Sequence, residues 1–216
     1  MKNKSLKILT YILACLPIIA ISLLYSKLPA EIPTNWGFSG KIDYSSKSTI
    51  WFLALLPLII TFVLNITPRI DPRGKSYERF GKYYDSFCLL MTLFLVVLNG
   101  ITLSESLYPG NISVSKVCII LVGLIFTFIG NIMPKAKDNF TFGLRTPWTL
   151  SNTDVWNKTH RLGGKLFFGV GLLLILSGLF LNDTVSFIIT IASTIITVLI
   201  PTVMSYIWYN KLTNEK

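Results

Sequence analysis

The sequence predicts an all-α integral membrane protein with six transmembrane helices that form one membrane domain over residues 1–216. Mean hydropathy is +0.61, and 52% of residues are apolar while 14% are charged; in soluble domains about a quarter are charged. The apolar residues form six runs, and a helix needs roughly 20 such residues to cross a bilayer. The connectors between the runs are too short to form a separate aqueous domain.

Each run is interpreted as a helix because backbone polar groups inside a bilayer must find their partners within the span itself. The runs are 8–24, 50–66, 87–104, 117–133, 162–181 and 185–208. The first run follows a lysine-rich start, as a signal peptide does, but no small-residue cleavage site interrupts it before Tyr25. We therefore expect it to be an uncleaved first helix.

Lysine and arginine positions predict the orientation. Sixteen of the twenty fall on the side of the amino terminus, and four (Lys27, Lys41, Lys47 and Lys116) fall on the other side. Because cytoplasmic loops carry the excess of positive charge, both termini are predicted to be cytoplasmic. Four outer acidic residues balance the outer cations, so the formal charge of +10 lies on the inner side. This basic face is expected to orient the protein and attract anionic lipids, not to bind nucleic acid directly.

Glycines at seven-residue spacing predict a close crossing of the fourth and fifth helices. Gly123 and Gly130 lie in the fourth run, and Gly164, Gly171 and Gly178 lie at the start of or within the fifth. A seven-residue step returns to nearly the same helix face, and small residues let membrane helices approach closely. The alternative is that glycine is simply frequent in membrane helices.

Charged residues are absent from the middle of every run. Proton relays and ion-coupled transporters need such residues, so their absence disfavours a transporter, although unwound backbone can also form a transport site. Asn65 and Asn99 are the main polar residues in the runs. They are predicted to join helices through hydrogen bonds.

The outer loop between the first two helices is rich in proline, glycine and aromatic residues, which predicts an ordered loop folded back on the helix ends. A peptide arriving from outside would meet this loop. A lid or a membrane anchor is the simpler role for it. Its candidate peptide-facing residues are Pro33, Trp36, Gly40 and Asp43.

The segment Asn131–Lys165, called the connector below, is a polar and basic stretch of 35 residues between two apolar runs. A connector of that length usually has a task of its own. Thr149 or Ser151 is predicted to cap a short helix across Asp154–Arg161. Trp156 and His160, four residues apart, would then share one helix face.

Arg145, Thr146, Pro147 and Trp148 place a guanidinium group, a fixed turn and a large aromatic ring side by side. This combination suits recognition of a carboxylate, a phosphate headgroup or a protein surface.

No enzyme, cofactor or metal site is predicted. His160 is the only histidine and has no Cys, Asp or Glu at ligand spacing and no nucleophile beside it, so we expect it to make a hydrogen bond within the loop. The three cysteines lack metal or redox spacing and are interpreted as small apolar residues. An enzyme acting on lipid-linked substrates through His160 and Asp154 is the weakest alternative.

Three motifs in the connector make the chain recognisable. They are Gly130-Asn131-Ile132-Met133-Pro134-Lys135, then Asn139-Phe140-Thr141-Phe142-Gly143-Leu144-Arg145-Thr146-Pro147-Trp148-Thr149-Leu150, and Val155-Trp156-Asn157-Lys158-Thr159-His160-Arg161-Leu162-Gly163-Gly164. Together they resemble the carboxy-terminal signature of the SdpI family of bacterial membrane proteins. The basic loop Pro68–Pro72 is similar to the family's loop after helix two. The outer loop resembles an associated amino-terminal motif, but Asn35 stands where that motif commonly has histidine, so no metal site or pH switch is expected there.

The resemblance implies an immunity protein of the bacterial cell membrane that protects its cell from a secreted membrane-active toxin peptide, such as the sporulation-delaying toxin. It also implies signalling, in which the membrane protein holds a cytoplasmic DNA-binding repressor when toxin is present. The amino-terminal motif region is 1–66 and the signature region is 113–208. The main alternative is a peptide or lipid transporter or exporter, which needs a continuous polar path. The candidate connector residues are Asn139, Gly143, Arg145, Thr146, Pro147, Trp148, Thr149, Trp156, His160 and Arg161.

Overall fold

The computed structural model describes residues 4–37 and 41–214. Within these residues lie seven α-helices and one antiparallel β-hairpin. The helices are α1 (Lys4–Leu24), α2 (Thr49–Ile70), α3 (Tyr77–Leu107), α4 (Val114–Ile132), α5 (Pro147–Ser151), α6 (Thr153–Phe180) and α7 (Asp183–Asn214). The strands are β1 (Glu31–Trp36) and β2 (Ile42–Ser46), and single 3₁₀ turns cover Tyr25–Lys27, Gly74–Ser76 and Met133–Lys135.

Six of the helices in the described residues, all except the short α5, are long and apolar enough to cross a membrane. Only 17 to 39% of the most apolar window of each span is buried inside the protein, so most of its apolar surface points outward, where lipid covers it. The predicted multi-pass membrane fold is therefore confirmed. Six crossings put the start of α1 and the end of α7 on the same side; that this side is cytoplasmic stays a prediction from charge.

The glycine seam is present between α4 and α6. A Cβ added to Gly123 would lie 2.8 Å from the carbonyl oxygen of Gly171, and one added to Gly130 would lie 2.7 Å from that of Gly164. These separations leave no room for a side chain, so the two helix backbones touch directly. The predicted crossing is confirmed, and it holds both ends of the connector close together.

The spanning helices form two lateral halves. In the first half α1, α2 and α3 pack on one another, and in the second half α6 packs between α4 and α7. The hydroxyl groups of Thr61 and Thr92 lie 2.7 Å apart and join α2 to α3. The predicted interhelical role of Asn65 and Asn99 is wrong, because each amide donates to its own helix. The carbonyl four residues earlier is always within reach of such a short side chain.

The outer loop is ordered and folded onto the helix ends, as predicted, and it takes the form of the β-hairpin, which the all-α description omitted. Pro33 pairs with Tyr44, and a register shift follows between Pro33 and Asn35. Ile32 of β1 is fully buried. It anchors the hairpin in an apolar cluster with Ile21, Leu28, Ile50 and Ala54.

Candidate functional site

The connector is attached to the first half through Asp71, in the loop between α2 and α3. Asp71 is 5% exposed. Its Oδ2 accepts hydrogen bonds from the backbone N–H of Phe140 at 3.0 Å, the Thr141 hydroxyl at 2.8 Å and the Tyr77 hydroxyl at 3.3 Å. Its Oδ1 accepts from the backbone N–H of Arg73 at 2.7 Å. A buried carboxylate requires such donors, and here they come from both sides of the junction.

Arg73 makes a second attachment. One guanidinium nitrogen lies 3.1 Å from Asp138, and the other donates to the backbone carbonyl of Leu150 at 3.1 Å. The guanidinium carbon also lies 4.8 Å from the centre of the Phe140 ring. Both members of the ion pair are about one-third exposed, so the pair alone contributes at most about 1 kcal/mol. The three contacts together fix where the connector sits.

Asn139 holds a turn in the first third of the connector and is fully buried. Its Nδ2 donates to the carbonyl groups of Lys137 at 2.7 Å and Phe142 at 3.0 Å. Its Oδ1 accepts from the backbone N–H groups of Thr141 at 2.9 Å and Phe142 at 2.6 Å. The backbone is thus wrapped around one amide, a role to which asparagine is well suited.

Phe142 extends from this turn into the first half. Its ring centre lies 6.1 Å from that of Phe80, 5.9 Å from that of Tyr84 and 5.0 Å from that of Phe87, all on α3. Aromatic pairs at such separations add to the free energy gained from burial alone. The connector is therefore held by apolar packing as well as by hydrogen bonds.

His160 braces the connector against α6, in agreement with the hydrogen bond predicted for it. Its Nε2 lies 3.1 Å from the backbone N–H of Leu144, and its Nδ1 lies 2.8 Å from the carbonyl of Trp156. Because the N–H can only donate and the carbonyl can only accept, Nε2 is unprotonated and Nδ1 carries the hydrogen. Both ring nitrogens are engaged, which leaves neither for a metal ion or for proton transfer.

The packing around His160 explains two further signature residues. The Trp156 ring stacks on the His160 ring with centres 4.0 Å apart, and its Nε1 donates to the carbonyl of Ala136 at 3.0 Å. Gly143 has φ +104°, and a Cβ there would overlap Nε2 of His160. Glycine is needed at this position both for the backbone conformation and for the space.

Thr146 begins α5 and links it to α7. Its hydroxyl accepts from the backbone N–H of Thr149, while the Thr149 hydroxyl accepts from the backbone N–H of Thr146 at 2.9 Å, which together form a capping box. The Thr146 hydroxyl also lies 3.0 Å from that of Ser205 on α7. The Trp148 ring packs against Tyr206 with centres 5.1 Å apart. The connector therefore contacts the second half at α7 as well as α6.

The predicted cap of a short helix across Asp154–Arg161 is wrong. Asn152 is the cap, since its Oδ1 accepts from the backbone N–H groups of Asp154 at 2.8 Å and Val155 at 3.1 Å. Thr149 is already used in the α5 capping box, and Ser151 ends α5. The helix that follows is α6 itself, which continues without a break into the membrane span.

The candidate connector residues divide by exposure. Asn139, Thr146, Thr149, Trp156 and His160 are buried and hydrogen bonded, so they shape the connector. Gly143 and Trp148 are half-buried, and Arg145, Pro147 and Arg161 are exposed. The last group offers the most surface to a partner from solution, although Arg145 also donates a hydrogen bond to the carbonyl of Phe140 at 2.6 Å. The exposed Arg145 also borders a cavity of about 360 Å³ between the two halves.

On the hairpin, Asp43 is held by its strand neighbours. Asn35 Nδ2 donates to Asp43 Oδ2 at 3.0 Å, and Lys41 Nζ lies 3.4 Å from Oδ1. The Asn35 hydrogen bond first, and then Lys41, lower the pKa of Asp43 below its ordinary value. Pro33 is buried and serves to anchor the strand. Gly40 lies outside the described residues.

Trp36 is half-buried at the end of β1. It borders two adjoining cavities, one of about 240 Å³ toward α2 and α3 and one of about 220 Å³ toward α7. Of the predicted outer residues that the structure describes, Trp36 therefore has the position best suited to meeting an apolar ligand.

Metal binding finds no support in residues 4–37 and 41–214, where no three His, Cys, Asp or Glu side chains come close enough to share an ion. The three cysteines are free thiols; Cys88 is buried, and Cys15 and Cys118 are half-buried.

Sequence reasoning assigned no role to Asp71, Arg73 or Tyr77, although the loop that contains Asp71 was matched to the family pattern. The available signal was an acidic residue between prolines in an otherwise basic loop. Such a residue suggests that hydrogen-bond donors surround it.

The fold and the connector define a multi-pass membrane protein with a buried, hydrogen-bonded junction on one membrane face and a β-hairpin on the other. Residues 135–205 match the family model described as the SdpI/YfhL protein family, and residues 12–61 match a domain of unknown function, DUF1648. The chain is 28% identical over 212 residues to the "Immunity protein SdpI" of Bacillus subtilis (strain 168). The alignment covers 97% of this chain and 98% of the relative. These matches confirm the resemblance to the SdpI family. No solved structure gives a significant match.

Proposed function

We propose that this chain is an immunity protein that protects its own cell from a secreted, membrane-active toxin peptide. The observation that carries the proposal is the match to a relative named as an immunity protein, because it extends over nearly the whole of both chains. The similarity therefore includes the hairpin, the two helical halves and the connector.

The geometry supports a protein that acts by binding. His160 has no ring nitrogen free for proton transfer, and the buried connector residues are used in structural hydrogen bonds. The hairpin offers Trp36 and two apolar cavities at one membrane face. We infer that protection comes from holding the peptide at that face.

Survival of toxin-sensitive bacteria that express this chain tests the proposal. We expect expression to raise survival against a secreted membrane-active peptide, with the sporulation-delaying toxin peptide tried first. Trp36→Ala should reduce protection, while Phe52→Ala, a change on a lipid-facing ring that is 62% exposed, should not. Correctly inserted protein that protects against none of a panel of such peptides would refute the function.

Signalling through a cytoplasmic DNA-binding repressor is a finer proposal, and so is binding of anionic lipids. What supports both is the cationic surface of the connector, where Arg145, Lys158 and Arg161 are exposed on a firmly held backbone. Such a surface complements an acidic protein patch or lipid phosphates. Arg161→Glu should weaken partner binding while leaving protection intact.

The transporter alternative makes a different prediction. A transporter or exporter would move peptide or lipid across the bilayer of proteoliposomes containing the purified chain. We expect no flux from an immunity protein that acts by binding. If peptide flux is measured, the cell is protected by export of the peptide and not by binding.

A further inference from the structure

The two cavities beneath the hairpin form one groove, called the hairpin groove here. The first, of about 240 Å³, lies between α2, α3 and α4, and the second, of about 220 Å³, lies between α4 and α7. Trp36 and Cys118 border both cavities. The groove therefore crosses the outer part of the boundary between the two halves.

The walls of the groove are apolar with few polar groups. In the first cavity Leu53, Leu56 and Leu98 make up much of the wall, and Asn99 and Thr102 interrupt it. Asp183, in the first turn of α7, borders the second cavity. Apolar walls with a small number of placed polar groups are typical of ligand sites.

Asn99 is the unusual residue in this groove. It is 8% exposed, and its Nδ2 donates to the carbonyl of Leu95 at 2.9 Å. Its Oδ1 is buried and accepts no hydrogen bond from the described residues. Asn99 lies eight residues before the end of α3 at Leu107, which places it roughly 12 Å below that helix end at 1.5 Å per residue. A buried oxygen without a donor is costly, and a ligand that brings a donor would remove that cost.

We propose that the hairpin groove binds an apolar segment of the toxin peptide, with Asn99 accepting a hydrogen bond and Asp183 facing a cationic group of the peptide. This inference rests on the proposed immunity function. A peptide fits better than lipid because an acyl chain at the depth of Asn99 offers no donor. An inserted peptide, by contrast, carries N–H groups that need partners in the bilayer.

Cys118 provides a direct measurement, because it borders both cavities. The full-length chain with Cys15→Ala and Cys88→Ala, reconstituted in vesicles, would be labelled at Cys118 with a membrane-permeant maleimide. The peptide used is the one against which the chain protects cells. We expect this peptide to slow labelling in a saturable manner.

Two variants test the contacts. Asn99→Leu keeps the branched side-chain shape and the number of heavy atoms. It removes an oxygen that is unpaired and a single hydrogen bond to the backbone of the same helix, so the fold should persist. It should raise the peptide concentration for half-protection of Cys118 by roughly 3- to 20-fold, the range measured for single hydrogen bonds between membrane helices. Leu53→Trp should fill the first cavity and abolish the slowing of Cys118 labelling by the peptide. Leu55→Trp is its matched control, since Leu55 faces outward and is 43% exposed.

Each other outcome overturns the proposal in a recognisable way. If cells survive but the peptide leaves Cys118 labelling unchanged, the groove is not the site. The same conclusion follows if the peptide slows Cys118 labelling equally in the wild type, Asn99→Leu and Leu53→Trp. In both cases the immunity function stands. If vesicles of phosphatidylglycerol without peptide protect Cys118 as well as the peptide does, lipid is the occupant. If no peptide allows cells to survive, the immunity function fails together with the groove.

Discussion

Replacing Gly143 by alanine should loosen the connector measurably. The residue has φ +104°, and a Cβ there would overlap Nε2 of His160. The unfavourable backbone conformation costs about 1–3 kcal/mol. Moving the His160 ring also breaks its hydrogen bond with the N–H of Leu144, which is worth about 0.5–1.5 kcal/mol. The expected loss of stability is therefore about 1.5–4.5 kcal/mol.

The measurement is thermal unfolding of the purified protein in detergent, followed by tryptophan fluorescence. For proteins of this size 1 kcal/mol lowers the Tm by roughly 2–4 °C, so Gly143→Ala should lower it by roughly 3–18 °C. Gly169→Ala is the matched control, because nothing lies within 4 Å of the added Cβ. Alanine in a helix interior is favoured over glycine, so the control should melt at or slightly above the wild-type temperature.

A double-mutant cycle separates the two contributions. In a His160→Ala background the overlapping ring is gone, so Gly143→Ala should cost only the backbone term, about 1–3 kcal/mol. Equal costs in both backgrounds would show that the His160 contact is unimportant. A Gly143→Ala protein that melts like the wild type would refute the whole account of this position.

Two other predictions concern the seam and the hairpin. Gly171→Ala should lower the Tm by several degrees, because its Cβ would lie 2.7 Å from the carbonyl oxygen of Gly123. Gly100→Ala, which has open space around the added Cβ, should not lower the Tm. Equal Tm values for the two variants would contradict the close crossing of α4 and α6. The lowered pKa of Asp43 means that its carboxylate stabilises the hairpin fully above the ordinary value of 3.8 and loses this effect as pH falls through the lower folded-state value. The NMR signals of the Asn35 side-chain amide should therefore stay unchanged from pH 7 to 4 and shift only below 3.8, and a shift beginning near neutral pH would disprove the assignment.

The helices and their crossing were predictable because the signals are local. An apolar run indicates a membrane span whatever surrounds it, and glycines seven residues apart mark one face of a helix. The lengths were less predictable: α6 begins at Thr153, well before its apolar run. The polar first turns of such a helix lie outside the apolar run that defines the prediction.

The failed cap shows where local reasoning ends. Thr149, Ser151 and Asn152 are all good capping residues, and the sequence around them gives no reason to prefer one. The choice depends on the break between α5 and α6, where Asn152 adopts an extended conformation. On one side of that break α5 is held against α7 by Thr146 and Trp148, contacts that the local sequence does not reveal.

The role of Asp71 could not be derived from local pattern at all. Its partners Phe140 and Thr141 lie about 70 residues further along the chain. Only the folded arrangement of the two halves brings them together. The hairpin groove was equally hidden, since its walls come from the hairpin and four different helices.

The junction has an electrostatic consequence. Two stretches that each carry an excess of cations, the α2–α3 loop and the connector, face each other, and two aspartates hold them together: Asp71 inside and Asp138 at the edge. Added salt screens repulsion between exposed charges far more than it weakens a buried carboxylate. Higher ionic strength should thus strengthen the attachment of the connector to the α2–α3 loop. A junction held by exposed ion pairs would instead be weakened by salt.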